Sequence, residues 1–338
     1  MMNGLRHITF LICWISAVSY GQDVHFSQTE NSHLNLNPAL CGFENDLSIN
    51  SNYKTQWKPT LAPFKTFAFS ADANLNGKSK SPWNFSIGTM IYHDQAGDPQ
   101  LNTLAINGYF ASKIKLSENQ NLGAGLFVGY RQLSLQSADG QWASQFNGLN
   151  YDPEMLSGET FNQMSFGKLN SGIGLAYHIG SGKRSRIENN EKFMDAGFAV
   201  YNLNKPQNTF FTDSKERLNQ RYSAFVKGHI SIRGSITSFQ PAVYYHRQGT
   251  FQEFQYGTYF SVNLLKSGNY IGTMADYKVG LGLFHRLGDA LIAKIYANVG
   301  DFRFGMSYDF NISSLQLSSN LRGGTEFYLG YQLKSFRK

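Results

Sequence analysis

The chain lacks long apolar runs. Beyond the N-terminal region no stretch of about eighteen apolar residues occurs, which excludes membrane-spanning helices. Cysteine is scarce: of the two, Cys13 lies in the N-terminal apolar segment, so Cys41 alone remains once that segment is removed. One cysteine forms no intramolecular disulfide, and a small disulfide-stapled secreted domain is excluded. Charge is sparse too, at 16 % of residues, and no basic run exceeds Lys183-Arg184-Ser185-Arg186. The net charge of +7 therefore has no nucleic-acid-binding stripe behind it, and no nucleic-acid partner is expected. Catalytic signatures are missing as well. The histidines outside the N-terminal segment (His25, His33, His93, His178, His229, His246 and His285) show no metal-ligand spacing, and no Gly-x-Ser-x-Gly marks a nucleophile. The expectation is a non-enzymatic protein without cofactor or metal.

What is present starts with an export signal. Arg6 and His7 supply a basic n-region, Ile8 to Ala17 an apolar core too short to span a bilayer, and Ser19-Tyr20-Gly21 the small residues before a cleavage point at Gln22. Residues 1–21 are thus expected to be a signal peptide. Phe10 and Ile12 are too bulky for a lipobox at Cys13.

Aromatics reach 15 %, with 27 Phe and 19 Tyr, and there are 33 Gly. That composition suits strands with one face on lipid and the other on a crowded lumen. Period-two alternation bears this out. Phe302, Phe304, Met306, Tyr308, Phe310 and Ile312 share one face, against Arg303, Gly305, Ser307, Asp309 and Asn311 on the other. Residues 253–264 and 221–232 repeat the pattern. Phe302 to Phe310 covers eight rises of about 3.4 Å; tilted by about 40°, it reaches roughly 20 Å of the ~25 Å apolar band.

Fourteen candidate strands follow, near 45–56, 64–75, 82–93, 99–112, 119–135, 170–179, 192–203, 219–232, 237–248, 252–265, 274–286, 289–299, 302–312 and 325–336. Twelve or sixteen also fit the pattern. The fold expected is an all-β, antiparallel transmembrane barrel over residues 44–338, in contact with outer-membrane lipid. A soluble sandwich or propeller would alternate too, but needs neither uniform spanning length nor aromatic strand ends.

With the N-terminus periplasmic, odd-numbered connections point outward, and the longest, about 136–169, is extracellular. The inner rim is then basic, through Lys78, Lys80, Lys113, Lys115, Lys183, Arg184, Arg186, Arg233 and Lys266. Asp94 and Asp98 around Ala96-Gly97 could hold a cation; an Asx-stabilised turn is the commoner reading. Lys183, Arg184 and Arg186 read as a solvated periplasmic turn. Residues 22–43 have loop composition and lack alternation. They could fold into the lumen as a plug, lie across the periplasmic mouth, or remain a loose leader.

Several ordered segments resemble the PorP/SprF family of outer-membrane proteins linked to type IX secretion and gliding motility. They are Phe26-Ser27-Gln28, Asn37-Pro38-Ala39-Leu40-Cys41-Gly42, Gln56-Trp57, Asp94-Gln95-Ala96-Gly97, Asn204-Lys205-Pro206, Tyr308-Asp309 and Glu326-Phe327-Tyr328. Cys41, where a small residue is usual, and Gly323-Gly324-Thr325 depart from the family pattern. The resemblance implies help with export or surface attachment of large secreted proteins such as gliding adhesins. It also implies two partners: cargo with a C-terminal secretion domain, and the type IX machinery. A passive or hydrophobic-solute outer-membrane transporter is the alternative.

Overall fold

A computed structural model describes residues 23–56, 64–76, 81–96, 101–135, 143–156, 164–181, 190–210, 215–264, 277–313 and 322–333. Fourteen antiparallel strands close into a barrel in which each strand pairs with its sequence neighbours and β1 pairs with β14. They are β1 Leu47–Gln56, β2 Phe64–Asn74, β3 Trp83–Ala96, β4 Leu101–Ser117, β5 Gln120–Leu135, β6 Ser165–Ser181 and β7 Lys192–Tyr201. β8 Arg221–Ser231, β9 Thr237–Gln248, β10 Phe251–Asn263, β11 Tyr277–Arg286, β12 Ala290–Val299, β13 Phe302–Asn311 and β14 Arg322–Leu333 complete the circle. Closure matters because lipid offers no partner to an open strand edge. The candidate signal segment and the 183–186 turn fall outside the described residues.

Facing follows the period-two rule. Phe302, Phe304, Met306 and Phe310 of β13 are exposed on the outside, while Ser307, Asp309 and Asn311 are buried inside. β10 does the same with Phe254, Tyr256 and Phe260 outside and Glu253, Gln255, Tyr259 and Ser261 inside.

Two strands run furthest beyond their expected bounds. β6 starts at Ser165, five residues early, and β4 continues to Ser117. These extensions project beyond the apolar band, where a strand needs no apolar face and so leaves no alternating signature. β7 stops at Tyr201, two residues early, because Asn202 takes a left-handed φ of 59° and starts the turn.

The barrel has two distinct ends. β1 begins and β14 finishes at the terminal end. The loop end carries the long 136–164 and 202–220 connections. Residues 23–43 lie in the lumen between them, and the core forms where they pack against the inward side chains of the wall. Leu36, Ala39, Leu40 and Phe43 pack with Phe225, Tyr244, Tyr259, Phe284, Ile292 and Tyr296 of the wall. Phe26, Leu34 and Cys41 pack with Met90, Tyr109, Phe127 and Tyr201.

Candidate functional site: the filled lumen

The luminal segment is short helical turns, Thr29–Asn31, His33–Leu36 and Pro38–Leu40, joined by tight backbone bonds. None is long enough to be stable alone. Their order comes from polar clamps to the wall at three depths.

The first clamp lies toward the loop end. Asp23 accepts from Arg131 Nη1 at 2.7 Å and from Asn202 Nδ2 at 3.0 Å, and its backbone N–H donates to Gln248 Oε1 at 3.0 Å. Burial alone would raise the Asp23 pKa, but the charges of Arg131 and Arg221 outweigh it, and the carboxyl sits below its ordinary value. Four residues on, Ser27 donates its N–H to Glu326 Oε2 (2.7 Å) and its hydroxyl to Asp309 Oδ2 (2.7 Å). Arg286 Nη2 closes this knot by donating to both Ser27 Oγ and Asp309 Oδ2 at 3.0 Å. Gln28 adds its own N–H to Glu326 Oε2 and its side-chain amide to the Glu326 carbonyl. Asn52 satisfies the other Glu326 oxygen at 3.0 Å.

At mid-depth, Lys294 Nζ donates to Glu30 Oε2 at 3.0 Å and Tyr259 donates to the same carboxylate. Burial would push Glu30 up; Lys294 and the Tyr259 bond bring it below its ordinary value. Asn37, fully buried, donates to the carbonyls of Leu175 (2.9 Å) and Phe198 (3.2 Å) while its Oδ1 caps Ala39 N. The chain approaches the wall this closely only because glycines face it. A Cβ on Gly125 would stand 2.5 Å from the backbone of Pro38 and Ala39, and one on Gly174 would stand 2.0 Å from Asn37 Oδ1.

At the terminal end, Asp72 accepts from His33 Nε2 at 2.8 Å and from the Gly42 N–H at 2.7 Å. Burial lowers the His33 pKa, but the adjacent Asp72 carboxylate reverses this and leaves it raised. Gly42 has φ 58° and lies so close to Ser86 that no Cβ would fit. Lys113 Nζ donates to the Phe43 carbonyl at 2.7 Å, and Lys227 pairs with Glu44. Lys113, expected on the basic rim at this end, fastens the end of the segment.

Of the residues singled out from the sequence, Phe26, Ser27, Gln28, Asn37, Pro38, Gly42, Asp309 and Glu326 meet in the lumen. Tyr308 instead points outward, edge-on to Phe310 at 4.8 Å. Gln56 and Asp94 line the cavity above the segment, Asp94 accepting from Thr66 at 2.6 Å. Pro206 sits in the β7–β8 connection, its carbonyl bonded to Leu218 N–H. Trp57, Gly97, Asp98, Lys183, Arg184 and Arg186 lie outside the described residues. No cluster of metal-ligating side chains occurs among the described residues. Glu30, Asp72, Arg131, Arg286 and Lys294 escaped the sequence reading, since each merely looks like a scattered lumen charge.

The segment divides the lumen. A cavity of about 770 Å³ opens above it, lined by Arg131, Glu253, Arg286 and Asp309 among others. Another of about 410 Å³ lies below, lined by His33, Glu44, Lys227 and Arg303 among others. They share no lining residue among those described.

A closed fourteen-strand barrel, apolar outside and filled by its own N-terminal segment, defines an outer-membrane β-barrel protein. The particular family is shown by a match over residues 18–331 to the type IX secretion system membrane protein PorP/SprF, and the chain belongs to that family. No curated protein matches the chain. Among solved structures, the toluene transporter TbuX of Ralstonia pickettii is similar at 8 % identity, with 90 % of this chain and 94 % of that one covered and a TM-score of 0.48. A Pseudomonas aeruginosa FadL homologue aligns at 10 % identity, 88 % and 92 % coverage and a TM-score of 0.47. CdiB from Acinetobacter baumannii aligns at 8 % identity, 85 % and 60 % coverage and a TM-score of 0.41.

Proposed function

We propose that this protein assists export or surface attachment of particular large secreted proteins, gliding adhesins among them, as a docking component of type IX secretion. Its role is binding, not catalysis. The observation that carries this reading is the filled lumen: a barrel occupied by its own clamped segment is no conduit for another chain. The loop end is then left as the working surface. The 143–156 connection there holds Leu149 and Leu156 in solvent at 86 % and 91 % exposure, with Phe146 beside them at 56 %. Several large apolar side chains exposed on one loop suit a protein partner. The partner proposed is the cargo's C-terminal secretion domain, with the loop end outward and the terminal end toward the secretion machinery.

The test compares surface proteomes in a deletion strain complemented with the natural chain or with Leu149→Asp/Leu156→Asp. Loss of one large surface protein in the deletion and the double variant, with normal barrel levels, is expected. Intact display together with lost uptake of a hydrophobic solute would transfer the reading to a transporter. Loss of all type IX cargo would mean a core role instead of a cargo-specific one.

A further inference from the structure

The wall is not uniform. The β8–β9 register runs from Arg221↔Gln248 to Lys227↔Ala242 and resumes only at Ile230↔Phe239. In the gap Gly228 stands opposite Pro241, which pairs on its other side with Thr258 of β10. Proline has no N–H to give the ladder, and inside a sheet it weakens the seam it faces. Glycine offers no side chain to cover the opening. The result is a seam toward the terminal end where the β8–β9 ladder is interrupted.

A groove of about 690 Å³ sits on this seam, within the range of small-molecule sites. Its outer wall is apolar, with Met194, Val226, Ile230 and Val243 from the lipid-facing side. Its floor is luminal. Phe193 and His229, stacked at 4.9 Å with rings 5° apart, line both this groove and the cavity below the plug segment. Gly228, Pro241 and Ala242 are likewise common to both. Lys192 lies at the rim, exposed, on the first residue of β7, and no carboxylate lines the groove among the described residues.

We propose that this seam is a lateral binding site for a membrane phospholipid, whose acyl chain enters between β8 and β9 and whose phosphate pairs with Lys192. The groove opens onto the lipid-facing belt, so a hydrocarbon chain is its neighbour by position. One cation without an opposing anion selects an anionic head over a neutral one. In the expected orientation the terminal end is periplasmic, where a phosphate at Lys192 meets the inner leaflet. The site is independent of the secretion reading.

The full chain in nanodiscs, doped with phosphatidylglycerol bearing a diazirine in one acyl chain, tests this after illumination and peptide mapping. Adducts are expected on inward-facing Phe193, His229 or Ala242, besides those around the outer belt. Gly228→Leu fills the gap and should cut the inward adducts about ten-fold, the scale of a few methylene contacts, without changing belt adducts or heat-modifiability. Ala224→Leu, on the same face of β8, should change neither. Should Gly228→Leu not assemble, Pro241→Val, which restores the ladder N–H, is expected to lower the inward adducts instead. Lys192→Glu should weaken labelling at the seam only. Adducts confined to outward-facing side chains would overturn the site, reducing it to ordinary annular lipid. Inward adducts that persist in the gap-closing variants would overturn it equally, by showing entry through the lumen mouth.

Discussion

Ser27 is a small residue with a central position, since it touches Glu326, Asp309, Arg286 and Gln255 at once. Ser27→Ala removes one hydroxyl from a buried carboxylate and should cost about 1–3 kcal/mol. Arg286→Met removes the guanidinium paired with Asp309 and Glu253 and should cost about 3–5 kcal/mol. Adding Asp309→Asn to Arg286→Met should recover part of that loss. Detergent-based thermal unfolding of the natural chain, Arg286→Met, Asp309→Asn and the double variant measures the coupling. Charge also gives the luminal segment opposite pH responses at its two ends. Asp23 and Glu30 have lowered pKa values, so their contributions are complete at neutral pH and vanish only as pH falls through those lowered values. His33 has a raised value; its contribution is complete below about 6.5 and is lost as pH rises through the raised value. Cys41, buried beside this pair, reports on it. Maleimide labelling of Cys41, corrected for thiolate with the unfolded chain, should accelerate above neutral pH, and His33→Gln should flatten that response.

Strands and the luminal segment were legible in the sequence to very different degrees. β10 and β13 announce themselves because lipid demands an unbroken apolar face, as Phe254, Tyr256 and Phe260 or Phe302, Phe304 and Met306 display. Ser165 to Leu169 of β6 escaped because nothing outside the bilayer enforces alternation. The luminal segment has no period to read, and its partners are remote: Ser27 and Glu326 are 299 positions apart. Lone Asp23 or Arg131 therefore gave no sign of belonging together, although Asn37-Pro38 and Glu326 were visible through family likeness. The strand facing itself makes a contrast to test. Phe304→Arg places a charge on the lipid face and should cost about 2–4 kcal/mol near the midplane. Asn298→Arg points into the lower cavity and should cost far less. Folded yield in outer membranes distinguishes them; equal losses would mean the facing is wrong. Gly125→Val should displace Pro38 and Ala39 while the wall, whose ladder needs no side chain there, still closes. Protease sensitivity confined to residues 23–43 in a heat-modifiable barrel is the expected reading.

At the scale of the whole molecule, the outer wall and the luminal segment depend on different solvents. Lipid stabilises the outside, whereas the inside, with Arg131, Arg286, Lys294, Asp72 and Glu326, could be solvated by water if the segment left. Deleting residues 23–43 should thus give a barrel that still inserts and runs as a heat-modifiable species, but conducts ions in planar bilayers far better than the natural chain. Silence of both proteins would show that the lumen is sealed by something else. The clamp between Ser27 and Glu326 carries a further consequence, for the order of assembly. Glu326 lies on β14 opposite Lys54 of β1, at the junction where the first and last strands meet. The segment preceding β1 is thereby fastened to the strand made last. Gathering it inside while the sheet is still open avoids threading folded turns through the barrel mouth. Glu326→Ala should therefore slow the final step of refolding more than it speeds unfolding, as expected of a contact that spans nearly the whole chain and forms at the transition state. The last hydrogen-bonded seam and the gathering of the N-terminal turns become one event, and the protein carries its own timing for when the circle may shut.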